Sequence, residues 1–374
     1  MRIINENCLD TMMFMEDNSI DSIVTDPPYG LAFMGKKWDY EIPSVEIWKE
    51  CLRVLKPGGY LLSFAGTRTQ HRMACNIEDA GFEIRDMIAW IYGSGFPKSH
   101  NIGKSMDKVL GNEREDLGKN KFEHLNGKSN LNCYGKASRP NETKGNSKYE
   151  GWGTALKPAL ETITVARKPL SEKTIAANVL KYGTGGINID GCRVPLDGDY
   201  KCAANGRPSQ TGLDDKYDPT TANTHIEQGR FPANLIHDGS DDVLGIFPES
   251  KARFFYCAKA SKADRNEGLE GFNEKQYSHD GRDKEIENAY QRNKSVSKNG
   301  HPTVKPTKLM RYLVRLVTPT GGTVYDPFTG SGSTGKACAY EGFDFIGSEL
   351  DADNEGHCDV ARARIAFAMA GDLY

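Results

Sequence analysis

The sequence predicts an α/β fold: a sheet with crossover helices, assembled from the two ends of the chain around a long central insertion. Two observations point there. Short apolar, β-rich runs alternate with stretches of helical period in residues 1–95 and 301–374, and strand–helix–strand alternation implies parallel strands joined by crossovers. Between them, roughly residues 96–300 are irregular and broken by Gly, Pro and Asn clusters. That region reads as an insertion with small structure of its own, not as a continuation of the sheet.

Near the N-terminus, Ser22-Ile23-Val24-Thr25 is a strand that must turn at Asp26-Pro27-Pro28-Tyr29-Gly30, because two prolines cannot continue it. Val45, Ile47, Trp48, Cys51, Leu52 and Leu55 recur with helical period, and Lys56-Pro57-Gly58-Gly59 stops that helix. Tyr60–Ala65 is an apolar strand. Met73 and Ile77 mark a helix ending near Gly81, and Phe82–Tyr92 reads as one or two strands. At the other end, Thr307–Val317 is an amphipathic helix stopped by Pro319 and Gly321-Gly322. Thr323-Val324-Tyr325 is a strand ending in Asp326-Pro327. A glycine-rich turn, a helix through Lys336–Tyr340, a strand Phe343–Gly347 ending in Ser348-Glu349, and a helix Val360–Ala370 complete the pattern.

The chain has 374 residues, with 38% apolar and 26% charged side chains, which suits a soluble protein with a sizeable core. No apolar run approaches the ~20 residues of a membrane helix, and Met1–Asn7 lacks a signal-peptide core. Nine cysteines, an odd number without C-x-x-C, argue against a disulfide framework or zinc ribbon and for a reducing cytoplasm. The eight histidines are scattered without metal-ligand spacing, so no metal site is expected.

The net charge of −3 hides a pattern. Residues 1–94 carry −5 and residues 321–374 carry −6, whereas residues 95–150 carry +4 and 251–308 carry +5. The two basic blocks lie in polar, Gly/Asn/Ser-rich sequence. They are either solvated loops or a surface that faces phosphates. Lys98, Lys104, Lys108, Lys259 and Lys262 are the candidate phosphate contacts.

The turn Asp326-Pro327-Phe328-Thr329-Gly330-Ser331-Gly332-Ser333-Thr334-Gly335-Lys336-Ala337 has two readings. It fits a phosphate-binding P-loop up to Lys336, but Ala337 stands where the loop needs a magnesium-binding hydroxyl. The other reading is a Rossmann-type nucleoside site. There, glycines let the backbone approach the ligand, and an acid about 20 residues on binds the ribose. Glu349 lies 19 residues after Gly330 and ends a strand. Asp326 is an extra acid that would repel pyrophosphate and suit a cationic ligand, such as the sulfonium and ammonium of S-adenosylmethionine.

Asp26-Pro27-Pro28-Tyr29 also follows a strand, where open α/β sheets bind ligands. A given tetrapeptide of this kind occurs by chance in roughly one chain in a thousand of this length. A carboxylate and a rigidly held carbonyl can both accept from an exocyclic amine. The prolines fix that geometry, and Tyr29 offers a flat face to a nucleobase drawn out of its stack. Trp90 and Tyr92 could wall the same pocket or belong to the core.

Together these segments resemble the amino DNA methyltransferases, which methylate N6 of adenine or N4 of cytosine. Asp26-Pro27-Pro28-Tyr29 is similar to their catalytic motif and Asp326-Pro327-Phe328-Thr329-Gly330-Ser331-Gly332 to their S-adenosylmethionine motif. His301-Pro302-Thr303-Val304-Lys305-Pro306 is similar to the segment that commonly precedes the latter. Catalytic half, long insertion, then cofactor half is the β-class order. The resemblance therefore implies a Rossmann-like methyltransferase sheet split into residues 1–95 and 301–374, with a target-recognition region at 96–300. Two stretches of that region, Gly93–Lys98 and Arg253–Lys259, look like those of phage and prophage members. One departure stands out: Glu6-Asn7-Cys8-Leu9 replaces the family's Gly-Asp-Cys-Leu, so Asn7 stands where an Asp contacts the cofactor adenine.

The resemblance implies Asp26, Pro27, Pro28 and Tyr29 as catalytic residues. Asn7, Asp326, Pro327, Phe328, Gly330, Gly332, Glu349 and Lys305 are its cofactor-binding residues. Duplex DNA is the implied substrate, with adenine favoured because Asp heads the Pro-Pro-Tyr. N4-cytosine methylation, an RNA or protein substrate, a non-catalytic DNA-binding protein on the same fold and a P-loop ATPase are the rivals. A homodimer and a cognate restriction endonuclease stay open as partners.

Overall fold

The computed structural model describes residues 1–31, 37–93, 95, 99–118, 142–195, 229–245, 255–277, 295–351 and 356–371. In chain order the N-terminal part forms β1 (Arg2–Ile4), α1 (Cys8–Met13), β2 (Ile20–Thr25), α2 (Val45–Val54), β3 (Leu55–Ala65), α3 (Gln70–Asp79) and β4 (Glu83–Ile91). The middle adds α4 (Ile102–Leu110), β5 (Glu115–Gly118), β6 (Glu142–Lys144), β7 (Leu160–Arg167), α5 (Ile175–Tyr182), β8 (Leu235–His237), α6 (Asp241–Leu244), β9 (Phe255–Tyr256), α7 (Lys262–Asn266), β10 (Lys275–Tyr277) and β11 (Ser295–Ser297). The C-terminal part is α8 (Thr307–Val317), β12 (Thr323–Asp326), α9 (Ser333–Glu341), β13 (Asp344–Ser348) and α10 (His357–Gly371).

The main sheet has the order β1-β13-β12-β2-β3-β7-β4-β8-β9. Its neighbours run parallel except where β7 lies antiparallel between β3 and β4. Helices cover both faces, so successive strand residues are buried on opposite sides. Ile23, Leu61 and Tyr325 pack with Trp48, Cys51, Met73 and Ile77 of α2 and α3. Val24, Leu62, Phe64 and Val324 pack with Leu309, Leu313, Val317 and Ile365 of α8 and α10.

The α/β expectation holds, with one correction. The region 96–300 does continue the sheet, because β7, β8 and β9 all belong to it. β7 sits inside the sheet and is buried on both faces, so Thr162 and Thr164 stand where an alternating pattern would put solvent. The start of β3 also differs. α2 ends at Val54, but Lys56-Pro57-Gly58-Gly59 runs within the strand, next to a register shift against β2. A proline is tolerated at such an irregularity because no ladder hydrogen bond is lost there. Gly58 has φ +79°, and its missing Cβ leaves room for Asn178. Among the described residues, no helix is long and apolar enough to cross a membrane.

Candidate active site

β2 and β12 are parallel neighbours, with Ile23 opposite Tyr325. From β2 the chain leaves through α2 on one face of the sheet. From β12 it leaves through α9 on the other. The carboxyl ends of two strands whose crossovers diverge in this way leave a crevice, the usual ligand site of an open α/β sheet. Asp26 and Asp326 stand at that crevice. Their turns are tied together by Thr25 Oγ1, which donates to Asp326 Oδ1 at 2.6 Å. Thr334 Oγ1 donates to Asp326 Oδ2 at 2.6 Å, and the Phe328 amide to Oδ1 at 3.1 Å. Burial pushes the Asp326 pKa up to about 6 despite these bonds.

The crevice opens into a cavity of about 1870 Å³. Asp26, Pro27, Pro28 and Tyr29 line one part of it; Asn7, Pro327, Phe328, Gly330 and Glu349 line another. Asn7 is also the N-cap of α1, its Oδ1 accepting from the Leu9 amide at 2.9 Å. Glu349 follows β13, and its Oε2 accepts from the Gly330 amide at 2.7 Å. Gly330 has φ +53°, and a Cβ there would fall 2.8 Å from His301 Nε2. Only glycine suits both demands.

Three predicted residues take other places. Lys305, grouped by sequence with the cofactor residues, lays its ammonium 2.6 Å from Asp26 Oδ2 and 3.2 Å from the Tyr29 hydroxyl. Gly332 caps α9 with φ +76° and packs against the backbone of Ala361 in α10; it serves helix packing. Lys259 lines the cavity, its ammonium 3.5 Å from the centre of the Tyr92 ring, and burial lowers its pKa. Lys104 and Lys108 on α4 and Lys262 on α7 are exposed, whereas Lys98 lies outside the described residues. Trp90 and Tyr92 are both core and wall: each is almost fully buried and each lines the cavity.

The catalytic end is held by residues the sequence did not single out. Asp39, buried in a short 3₁₀ turn, accepts from the amides of Tyr29, Gly30 and Leu31 at 2.6, 3.1 and 3.2 Å. These bonds fix the chain leaving the Pro-Pro-Tyr turn. Tyr29 donates its hydroxyl to Asp26 Oδ1 at 2.8 Å. Glu161 at the head of β7 is 3.4 Å from both the Tyr29 hydroxyl and the Lys305 ammonium. Burial raises the Asp26 pKa, and Lys305 opposes that rise by favouring the carboxylate. Glu161 had a sequence signal, an acid leading the β-rich Thr162–Val165 run. Asp39 had none.

The P-loop reading fails on geometry. Lys336 is fully buried and turns to Asp264 Oδ1 at 3.2 Å and to Glu267, away from the glycine turn. Among the described residues, no group of three or more His, Cys, Asp or Glu side chains could hold a metal ion.

His301 gives the site a pH signature. Burial, and then the charges of His357 and Arg265, hold its pKa well below the usual 6.5. Below that pH the unfolded chain takes up a proton that the native imidazole refuses, so stability falls as pH drops through that range. Wild-type melting temperature is expected to fall more steeply than that of His301→Asn between about pH 7.5 and 5.5. Parallel curves would contradict this.

Known proteins resemble this chain in sequence. M.HpaI, a type II methyltransferase of Haemophilus parainfluenzae, is 33% identical over 120 residues, 29% of this chain and 37% of M.HpaI. The chain thus spans little more than a third of that relative. M.HindIII, a type II methyltransferase of Haemophilus influenzae, is 23% identical over 333 residues, 88% of this chain and 71% of M.HindIII. The cytosine-N4-specific PvuII DNA methyltransferase superposes with a TM-score of 0.46 at 14% identity, covering 97% of this chain and 85% of that one. That likeness is too distant to bear on a target base. Residues 20–361 match the N6/N4 DNA methylase family, most of the chain, and with the two motif turns meeting in one cavity the chain belongs to that S-adenosylmethionine-dependent family.

Proposed function

We propose that the chain transfers a methyl group from S-adenosylmethionine to N6 of adenine in duplex DNA, after flipping the base out of the helix. The observation that carries this reading is the meeting of Asp26-Pro27-Pro28-Tyr29 with the Asp326–Gly332 turn at adjacent strand ends in one cavity. Adenine is favoured because Asp heads the Pro-Pro-Tyr.

The residues present fit the cofactor. Gly330 keeps the turn open beside His301, Glu349 brings a carboxylate suited to ribose hydroxyls, and the acidic Asp326 suits a cationic sulfonium. When bound, S-adenosylmethionine supplies the methyl group on a strongly electrophilic sulfur. Asp26 and the Pro27 carbonyl accept the two hydrogens of the target amine. Holding the amine this way turns its lone pair out of ring conjugation and toward the incoming methyl group, and the Asp26 carboxylate then takes the proton that the methylated nitrogen sheds. Both oxygens of Asp26 are already engaged, by the Tyr29 hydroxyl and the Lys305 ammonium, so the target amine must displace a donor to bind there. Tyr29 stacks on the flipped base, offsetting part of the few kcal/mol that extrusion costs. Positioning supplies most of the acceleration, since the electrophile is reactive without help.

The parts of residues 96–300 outside the sheet strands β7, β8 and β9 serve as the target-recognition region, with the exposed Lys104, Lys108 and Lys262 on phosphates. Purified protein given methyl-labelled cofactor is expected to label duplex DNA and to leave RNA and protein unlabelled. Label in RNA or protein alone would refute the substrate class.

A further inference from the structure

Two donors at the catalytic end are each shared between two carboxylates. The Lys305 ammonium is 2.6 Å from Asp26 Oδ2 and 3.4 Å from Glu161 Oε2. The Tyr29 hydroxyl is 2.8 Å from Asp26 Oδ1 and 3.4 Å from that same Glu161 oxygen. Both donors therefore sit on Asp26, with Glu161 as the second acceptor less than one ångström farther away. Lys305 is boxed in: it is nearly buried, and its ammonium lies 4.9 Å from the centre of the Phe64 ring. Glu161 is anchored from the other side by Tyr92, the residue after β4, which hydrogen-bonds it, and by its place at the head of β7, opposite Trp90.

This arrangement raises a difficulty that the proposed methyl transfer must solve. The Lys305 ammonium favours the carboxylate form of the buried Asp26 by lying against it, yet that carboxylate is the acceptor the target amine needs. The amine nitrogen also becomes cationic as it takes the methyl group, and an ammonium left on Asp26 would oppose that charge at close range. The second acceptor beside both donors, Glu161, resolves the conflict.

We propose that Glu161 is a positioning residue of the catalytic centre: it receives the Lys305 ammonium and the Tyr29 hydroxyl when the target amine takes their place on Asp26. The hand-over leaves no buried donor unpaired. It also keeps two carboxylates against one ammonium around the nitrogen that gains charge. This inference rests on the methyltransferase reading of the site and names the residue through which Asp26 is freed.

The test is steady-state methylation of duplex DNA by wild type, Glu161→Gln, Lys305→Met and the double variant, with cofactor affinity by calorimetry and melting temperature alongside. Glu161→Gln keeps the shape and removes the charge. It is expected to lower kcat at least tenfold with cofactor affinity unchanged. In the Lys305→Met background the same change is expected to cost less than threefold, because no ammonium is left to move. Glu161→Asp keeps the charge on a shorter arm, and it is expected to show a smaller loss of kcat with the same dependence on Lys305. An active wild type with kcat unaltered by Glu161→Gln overturns the inference. So does an equal loss in both backgrounds, which would mean a merely structural role. A wild type that methylates nucleic acid in none of its forms overturns the functional reading itself.

Discussion

Asp26→Ala is expected to abolish measurable methyl transfer while cofactor binding survives. Asp26 supplies the acceptor that fixes the target amine, and no neighbour can replace it. Glu161 lies on the far side of Lys305 and Tyr29, and Asp326 is committed to Thr25, Thr334 and the Phe328 amide. Losing one preorganised polar contact to a transition state costs roughly 100–1,000-fold in kcat. Here the loss should be larger, because the free amine can rotate back into conjugation. The fold should tolerate the change, since the ammonium of Lys305 keeps Glu161 as a partner. Single-turnover methylation measures the loss, and calorimetry checks that the cofactor still binds. Retained methylation would remove Asp26 from the mechanism.

Gly332→Ala is expected to destabilise the protein by about 2–5 kcal/mol. Two costs combine. At φ +76° an alanine is left-handed, which costs about 1–2 kcal/mol. Its Cβ would also fall 2.8 Å from Ala361 Cα and 2.9 Å from Ala361 Cβ, against a helix backbone that cannot move aside as a flexible side chain would. Overpacking of this kind costs about 1–3 kcal/mol. The displaced turn carries Gly330 and Ser331, so weaker cofactor binding is expected with the lower stability. Urea unfolding reads the first and calorimetry the second. An unchanged midpoint would contradict both costs.

The two ends of the chain were legible because their signals are local. Helix α8 has the limits its periodicity predicts, and the strands before Asp26 and Asp326 end where proline forces a turn. The pairing of β2 with β12, across some 300 residues, was legible only through the two motifs placed at their ends. What sequence hid is non-local. Strand β7 was obscured by irregular flanks and by threonines that are buried only because the strand is inserted between β3 and β4. β1, three residues long, is too short to show a period. Lys305 was grouped with the cofactor residues and its contact with Asp26 was not foreseen, because motif order fixes a neighbourhood and not the direction of a long side chain. Asp39 and Glu161 reach the Pro-Pro-Tyr turn from a short 3₁₀ segment and from the inserted strand, and only folding brings them there.

At the centre stands methylation of adenine N6 in DNA by the Asp26 site. Its most direct test is nucleoside mass spectrometry, with modification-aware sequencing, of DNA from a host expressing either wild type or Asp26→Ala. N6-methyladenine is expected at one recurrent sequence motif with wild type and at none with Asp26→Ala. N4-methylcytosine in its place, or N6-methyladenine that persists with Asp26→Ala, would contradict it.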